Sequence, residues 1–540
     1  MIRLILSFIL CLSLLSSCSK KSQNNAKSNS INVKLVVDNK LTGYLKRMIQ
    51  LFNAKGISLP EGTQISFSLI SEEPFVAANK IALGQLKVHG WLAASTSLVS
   101  YTNSKLQNLG PKQVGCNQLF ASPIVVATRE KHLERFTIVD DQISWKDIGF
   151  SANSTQDTSK RQLNFNHASP TSSITGLSSL IQLSYLAAGS PNVLTGAILQ
   201  KPEVLKQLEL NESRAAGYGD DDFVLLSQVL AAKNEKVHFT FTTEQQVALF
   251  NQRFLKDGKA APIKALYPKE GTYWMDYNFC ISDADWLTPA HKRALELFST
   301  FLTEEESQSA IAAYGYRPSA SAVPLSPPLS QEYGVNVSKG TNALLPVSAE
   351  VVDILMSRWP DILRPTSIVY VLDTSGSMEG PALRVGRTLF RNSMASTSWR
   401  DLKSLVTFSS DFHVVSDFVS DTGEIIPTLD TLHARGGSAV YDAINKSIQF
   451  ALRQTDPRYR KTIIFLTDGG DKNSDISLKR LLDTVRETFS RNNINLIIVC
   501  IGHKEDFSDL KMISDAANGI FRQTSLDGAA TVFAHINALM

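Results

Sequence analysis

The chain opens on a short apolar run, LILSFILCLSLL, and then alternates strand-like and helix-like patterns to its end. INVKLVV reads as a β-run that stops at Asp38-Asn39-Lys40, and TGYLKRMIQLFNAKG follows with apolar residues at helical spacing. TQISFSLIS, VHGWLAA and PIVVATRE read as strands, GLSSLIQLSYLAAG as a helix, and KVHFTFTT as a strand before a helix near residues 243–257. KALYPKEGTYWMDYNFCIS precedes a long amphipathic helix, PAHKRALELFSTFLTEEESQSAIAAYG. Around residues 320–346 the periodicity gives way to a stretch rich in Pro, Ser and Gly, which reads as a linker able to pack against a neighbour. A second strand–helix alternation starts at SIVYVLD and runs to the C-terminus. The fold class is α/β, in two unrelated halves without an internal repeat.

A chain of 540 residues is too long for one core; about three or four domains of ordinary size are expected. With 43% hydrophobic and 19% charged residues the composition is that of a globular protein, and a formal charge of +3 without a basic aromatic stripe gives no argument for a nucleic-acid partner, so none is expected. No stretch beyond residue 17 is apolar for long enough to span a bilayer.

The first apolar run has signal-peptide length, carries Arg3 ahead of it and ends in Leu15-Ser16-Ser17-Cys18. Small residues before a cysteine resemble a bacterial lipobox. The resemblance implies that residues 1–17 are removed and that Cys18 becomes a lipidated N-terminus; the alternative is an ordinary cleaved signal. Residues 18–30 are polar and unpatterned, as a tether is. The expected location is the cell envelope, extracytoplasmic and lipid-anchored, at the outer membrane or the outer face of the inner one. Ser19 resembles an outer-membrane sorting signal. Five cysteines occur. Cys11 leaves with the signal, and Cys500, at the end of INLIIVC, reads as a buried thiol.

SIVYVLD is a continuous apolar strand, as in a sheet covered on both faces, and it ends in Asp373-Thr374-Ser375-Gly376-Ser377. The carboxyl ends of such strands are where open α/β sheets build sites. RGGSAVYDAI then places Ser438 after Gly436 and Gly437 and ahead of a helix, and TIIFLTDGGD ends a second buried strand at Thr467-Asp468. These segments resemble the von Willebrand factor A family and its metal-ion-dependent adhesion site, over roughly residues 350–540, a doubly wound Rossmann-like domain. The resemblance implies a divalent cation, Mg²⁺ or Mn²⁺, held by Asp373, Ser375, Ser377, Ser438 and Asp468. Mg²⁺ takes about six oxygens and keeps water. Hydroxyl ligands with few direct carboxylates leave it electron-poor, ready for a carboxylate from a partner protein. Ser438 stands where the family usually has Thr, which keeps the hydroxyl oxygen. The bland alternative is a capped strand-to-helix turn. Ser375 occupies the position where an aspartyl-phosphate phosphatase needs a second carboxylate, and no G-x-x-x-x-G-K-[ST] phosphate loop is present.

Residues 31–320 resemble a type II periplasmic substrate-binding protein, two-lobed with a hinge crossed twice. FASPIVVATRE, HASPTSSITGLSSL, KALYPKEGTYWMDYNFCI and LFSTFLTEEESQSAIAAYGYRPS carry the likeness, the last ending in Gly315-Tyr316-Arg317-Pro318. The implied hinge passes lie near Phe120–Val126 and Tyr273–Ile281. One lobe is then residues 31–118 plus 276–320 and the other 119–275, with residues 321–349 as linker before the 350–540 domain. A small polar or anionic solute would sit in the cleft. Ser169, Thr171, Ser172 and Ser173 cluster at a helix start, where free N–H groups favour an anion; simple capping is the equal alternative. Ser95 and Thr96, with Ser97, are candidates from the other lobe, against a turn role, and Tyr273 and Tyr277 either line the hinge or are aromatic core. His167 has no partner at metal-ligand spacing and reads as structural, and Asp220-Asp221-Asp222 lacks the spacing of an EF-hand. Cys116 and Cys280 lie near the two hinge passes, which run side by side in this fold, so they are candidates for a disulfide in an extracytoplasmic protein.

The function expected from these features is non-enzymatic: a membrane-anchored binding protein that carries a Mg²⁺-dependent module for an acidic protein partner beside a solute-binding-like module. The alternative is the receptor of an ABC-type importer with an accessory A-type domain. No nucleophile–base set supports a hydrolase.

Overall fold

The computed structural model describes residues 30–60, 62–106, 112–134, 137–148, 163–219, 221–230, 237–255, 261–456, 458–492, 494–502, 507–517 and 519–538. The expected signal segment and Cys18 lie outside them.

The N-terminal region is built on nine main strands: β1 (Ser30–Asp38), β2 (Gln64–Glu72), β3 (Gly90–Ala94), β4 (Lys112–Arg129), β5 (Phe165–Ala168), β6 (Ala215–Gly219), β7 (Phe239–Thr243), β8 (Ile263–Pro268) and β9 (Thr272–Asp283). Their order is β2-β1-β3-β9-β4-β7-β5-β6, with β8 on β4. Two lobes share this path. In lobe one, β1 lies parallel to β2 and β3, and β9 closes it antiparallel to β3. In lobe two, β5 lies parallel to β6 and β7, and the second half of β4 runs antiparallel to β7 and β8. The long strands β4 and β9 pair with each other from Lys112–Asp283 to Pro123–Trp274 and pass through both lobes. They are the hinge. The Cys116–Cys280 disulfide joins them on the lobe-one side. Arg317 closes the region with two hydrogen bonds onto the buried Glu244 carboxylate in lobe two.

The helix expected over residues 289–315 is two helices, Pro289–Thr303 and Glu305–Ala312. Glu304 between them is extended, at φ −66° and ψ 151°. Its carboxylate is held by Lys55 at 2.6 Å, and the turn lets Ile311 reach the core while Gln308 Nε2 donates to the free Leu302 carbonyl.

The C-terminal sheet has six strands: β10 (Thr366–Asp373), β11 (Leu402–Phe408), β12 (Phe412–Val419), β13 (Arg460–Thr467), β14 (Ile494–Ile501) and β15 (Ile520–Thr524), in the order β12-β11-β10-β13-β14-β15. All pairs are parallel except β11 with β12. Every residue of β10 is buried. Separate apolar clusters cover the two sheet faces, one around Val371, Phe465 and Ile498, the other around Leu372, Leu466 and Phe390. That doubly covered arrangement demands the near-continuous apolar strands seen in the sequence. Cys500 is a buried free thiol.

Residues 320–347 run along the N-terminal region, where Ala343–Leu344 pairs with Thr272–Tyr273 of β9. The next helix, Ala349–Ile362, has buried residues Val351, Val352, Leu355, Trp359 and Ile362, spaced for one helical face. That face belongs to the N-terminal core, not to the core of the sheet that follows it.

Candidate functional site

β10 and β13 are adjacent parallel strands, so their carboxyl ends bring Asp373 and Thr467-Asp468 side by side. Asp373 is fully buried. One carboxylate oxygen accepts the Ser375 N–H at 2.7 Å and the other accepts the Thr467 hydroxyl at 2.6 Å. The chain turns sharply there. The Ser375 and Ser377 hydroxyls come within 3.0 Å of each other, and Ser377 Oγ donates to Asp468 at 2.8 Å.

The third loop is docked by its backbone. Gly376 N–H donates to Gly436 O at 3.1 Å, Arg435 N–H to Thr374 O at 2.8 Å, and Gly437 N–H to Ser410 Oγ at 2.8 Å. Gly436 adopts φ +85°, a left-handed conformation that favours glycine. A Cβ on Gly437 would lie 2.2 Å from Asn473 Oδ1. That same oxygen accepts the Ser438 N–H at 3.1 Å, so the glycine lets the loop close over Asn473. Ser438 is thereby set at the same strand ends, at the start of the helix Val440–Leu452. Its Oγ is buried without a hydrogen-bond partner. Leaving such a hydroxyl unpaired costs about 1–3 kcal/mol.

Burial pushes the Asp373 carboxyl up to about 6; the Thr467 and Ser375 hydrogen bonds oppose this and the Asp468 charge adds to it. A cation at this spot would answer both the raised carboxyl and the unpaired hydroxyl. Among the described residues no three or more His, Cys, Asp or Glu side chains form a metal-binding group. The donors gathered here are instead the carboxylates of Asp373 and Asp468 and the hydroxyls of Ser375, Ser377 and Ser438. All are hard oxygen donors, which fits Mg²⁺ or Mn²⁺ and not a soft metal. Sequence patterns marked these five residues but missed Ser410 and Asn473, the polar loop residues that position Ser438.

The candidate solute contacts fall into two groups. Ser95 and Tyr273 are fully buried, and the Tyr273 hydroxyl lies 3.5 Å from Ser95 Oγ and 3.0 Å from Ser97 Oγ. Thr96 bonds to the Asp276 carboxylate through both its N–H and its hydroxyl. Tyr277 stacks on Phe120 at 4.9 Å and meets the Tyr316 hydroxyl at 3.4 Å. These groups are engaged within the chain. At the helix Ile174–Ala187, Ser173 Oγ caps the Gly176 N–H at 3.5 Å. Ser169 Oγ pairs with Thr171 at 2.9 Å, and Ser172 Oγ is buried without a hydrogen-bond partner. His167, buried in β5, meets the Glu212 carboxylate at 3.3 Å.

Comparison with known proteins finds likenesses in both parts of the chain. Residues 368–470 match the family described as von Willebrand factor type A domain. The human inter-alpha-trypsin inhibitor heavy chain H2 is 24% identical over 167 residues, which is 29% of this chain and 17% of that protein. The Sus scrofa heavy chain H4 is 25% identical over 167 residues, 29% of this chain and 18% of that protein. The chain thus spans less than a fifth of the length of these relatives. Among solved structures, a von Willebrand factor type A protein from Catenulispora acidiphila is 19% identical, covering 33% of this chain and 42% of that one at a TM-score of 0.30. A periplasmic thiamin binding protein is 11% identical, covering 61% of this chain and 94% of that one at a TM-score of 0.42. Residues 368–470 thus carry the match to the von Willebrand factor type A domain, within an α/β chain whose N-terminal region is two lobes joined by the paired strands β4 and β9.

Proposed function

We propose that this protein is an extracytoplasmic, lipid-anchored binding protein whose A-type domain captures a protein partner through a divalent cation. The observation that carries the reading is the unpaired, buried Ser438 hydroxyl at the strand ends where Asp373, Ser375, Ser377 and Asp468 are linked by hydrogen bonds. In this reading Ser375, Ser377 and Ser438 hold Mg²⁺ or Mn²⁺ with their hydroxyls, while Asp373 and Asp468 supply charge, directly or through water. The cation supplies an electrophilic position for a carboxylate of the partner. Anchoring rests on the Leu15-Ser16-Ser17-Cys18 pattern, and no helix among the described residues is long and apolar enough to cross a membrane. The N-terminal region is the solute-binding-like module, and the unpaired Ser172 hydroxyl beside Thr171 supports a polar or anionic solute contact there.

Lys472 offers a direct test. It is exposed, and its backbone N–H donates to Ser438 O at 2.9 Å, so the chain carries a cross-linkable residue next to the site. Cross-linking on intact cells should join Lys472 to an acidic surface of another envelope protein, and chelation or Asp373→Ala should abolish those links. Identical Lys472 cross-links under both conditions would refute metal-dependent capture.

A further inference from the structure

Residues 340–362 touch both lobes of the N-terminal region. Trp274 Nε1 donates to Gly340 O at 3.0 Å, and Ala343–Leu344 adds to the hinge strand β9. The Tyr185 hydroxyl of lobe two donates to Leu345 O at 2.9 Å. Two residues later, Val347 N–H donates to Ser97 Oγ of lobe one at 2.9 Å. The helix Ala349–Ile362 continues the pattern. On the lobe-one side it packs on the helix Thr96–Ser104, with Lys105 and Asp353 paired at 2.6 Å. On the lobe-two side it packs on the helix Pro202–Glu212. A Cβ on Gly196 of lobe two would lie 2.4 Å from the Glu350 carboxylate, so the Glu350 side chain rests against lobe two there.

The end of the same helix reaches the C-terminal domain, where Ser398 Oγ donates to Pro360 O at 3.5 Å. Trp359 packs edge-on to Tyr218 of β6 at 5.2 Å, and Tyr218 donates its hydroxyl to Glu212 at 2.9 Å. The Arg460 guanidinium, buried at the start of β13, lies 4.9 Å from the same Tyr218 ring. Arg400 pairs with Glu209 of lobe two at 2.9 Å. β13 runs from Arg460 to Thr467, so one end of this strand meets lobe two and the other ends beside Asp468.

We propose that residues 340–362 are a strap that fastens the two lobes in one mutual position and seats the A-type domain on lobe two. A hinge of two strands can flex only if nothing else ties the lobes together. Here the strap ties them from β9 outward, with apolar burial on one helix face and an ion pair or close contact on each side. Opening of the lobes therefore requires release of the strap, and release removes the Trp359 contact beside Arg460. Lobe opening therefore strips one side of the seat of the A-type domain, leaving it the Arg460 and Arg400 contacts to lobe two. Fastened in one position, the N-terminal region is a rigid mount for the C-terminal domain.

Hydrogen exchange on the full mature chain tests this without any metal. Trp359 makes its ring contacts in lobe two, and Asp353 pairs with lobe one. Trp359→Ala, and the exposed change Asp353→Lys, should each raise amide exchange about tenfold in both strap-facing helices, Thr96–Ser104 and Pro202–Glu212. Protection lost only in the lobe next to the substituted residue would overturn the strap. Should Trp359→Ala lose its fold altogether, Asp353→Lys decides by the same comparison.

Discussion

Ser377 donates its hydroxyl to Asp468 at 2.8 Å, although 91 residues separate them in the chain. The bond exists because β10 and β13 are parallel neighbours whose carboxyl ends coincide. It ties the turn after one strand to the residue that ends the other. Strand pairing brings Asp373 and Asp468 together, and hydrogen bonds of the turn and loop at the strand ends place Ser375, Ser377 and Ser438.

The glycine before Ser438 is one such placement. A Cβ at residue 437 would meet Asn473 Oδ1 at 2.2 Å, and that oxygen holds the Ser438 N–H. Gly437→Ala should therefore destabilise the chain by about 1–3 kcal/mol through overpacking and weaken Mg²⁺ uptake about tenfold through the displaced Ser438. Denaturant unfolding and metal titration of the same sample check both effects. Unchanged values would mean the loop can shift without cost.

Proton competition gives a second expectation. Burial holds the Asp373 carboxyl at about 6 in the free site, so below that pH an incoming cation must displace a proton. Metal affinity should be flat above about pH 6 and fall about tenfold for each pH unit below it. A calorimetric series across this range checks it, and a pH-independent affinity would remove Asp373 from the binding equilibrium.

Asp38, at the end of β1, yields a stability prediction outside the metal site. Burial lifts its carboxyl from 3.8 to about 6, with the Lys40 N–H and charge opposing and Glu73 adding. Below 3.8 both the folded and unfolded chains carry the proton. As pH rises toward 6 the unfolded chain ionises first, so stability is lost across this window and stays lower above it. The displacement corresponds to about 3 kcal/mol at most. Asp38→Asn keeps the oxygen that accepts the Lys40 N–H and should flatten the wild-type slope between about pH 4 and pH 6. Urea unfolding at several pH values reads this directly; parallel curves for the two proteins would contradict it.

Anchoring has its own test. Cys18→Ala should leave the precursor uncleaved or release the protein from membranes, as membrane fractionation and the mass of the N-terminus would show. Unchanged processing and attachment would rule out lipidation at Cys18.

Much of the fold was legible because burial writes itself into strands. SIVYVLD and TIIFLTDGG have continuous apolar interiors since both sheet faces are covered, and the residues at their ends could be picked out in advance. The break at Glu304 was not legible, because TFLTEEESQ keeps helical spacing through it. Ser410 and Asn473 were missed because polar loop residues follow no period. The apolar face of AEVVDILMSRWPDI was readable as a helix, yet periodicity does not say which core a helix joins. Only the structure shows it lying against both lobes.

The proposed capture of a partner depends on the cation. Calorimetric titration of Mg²⁺ and Mn²⁺ into the full chain should compare wild type with Asp373→Ala, Ser438→Ala and Ser438→Thr. Asp373 anchors the turn through two hydrogen bonds, so its loss should cost about a hundredfold in affinity, whereas Ser438→Ala should cost about tenfold. Ser438→Thr keeps the hydroxyl and should bind as tightly as wild type. Equal affinities in all four proteins, or no uptake by wild type, would contradict the metal site and with it the metal-bridged capture of a partner.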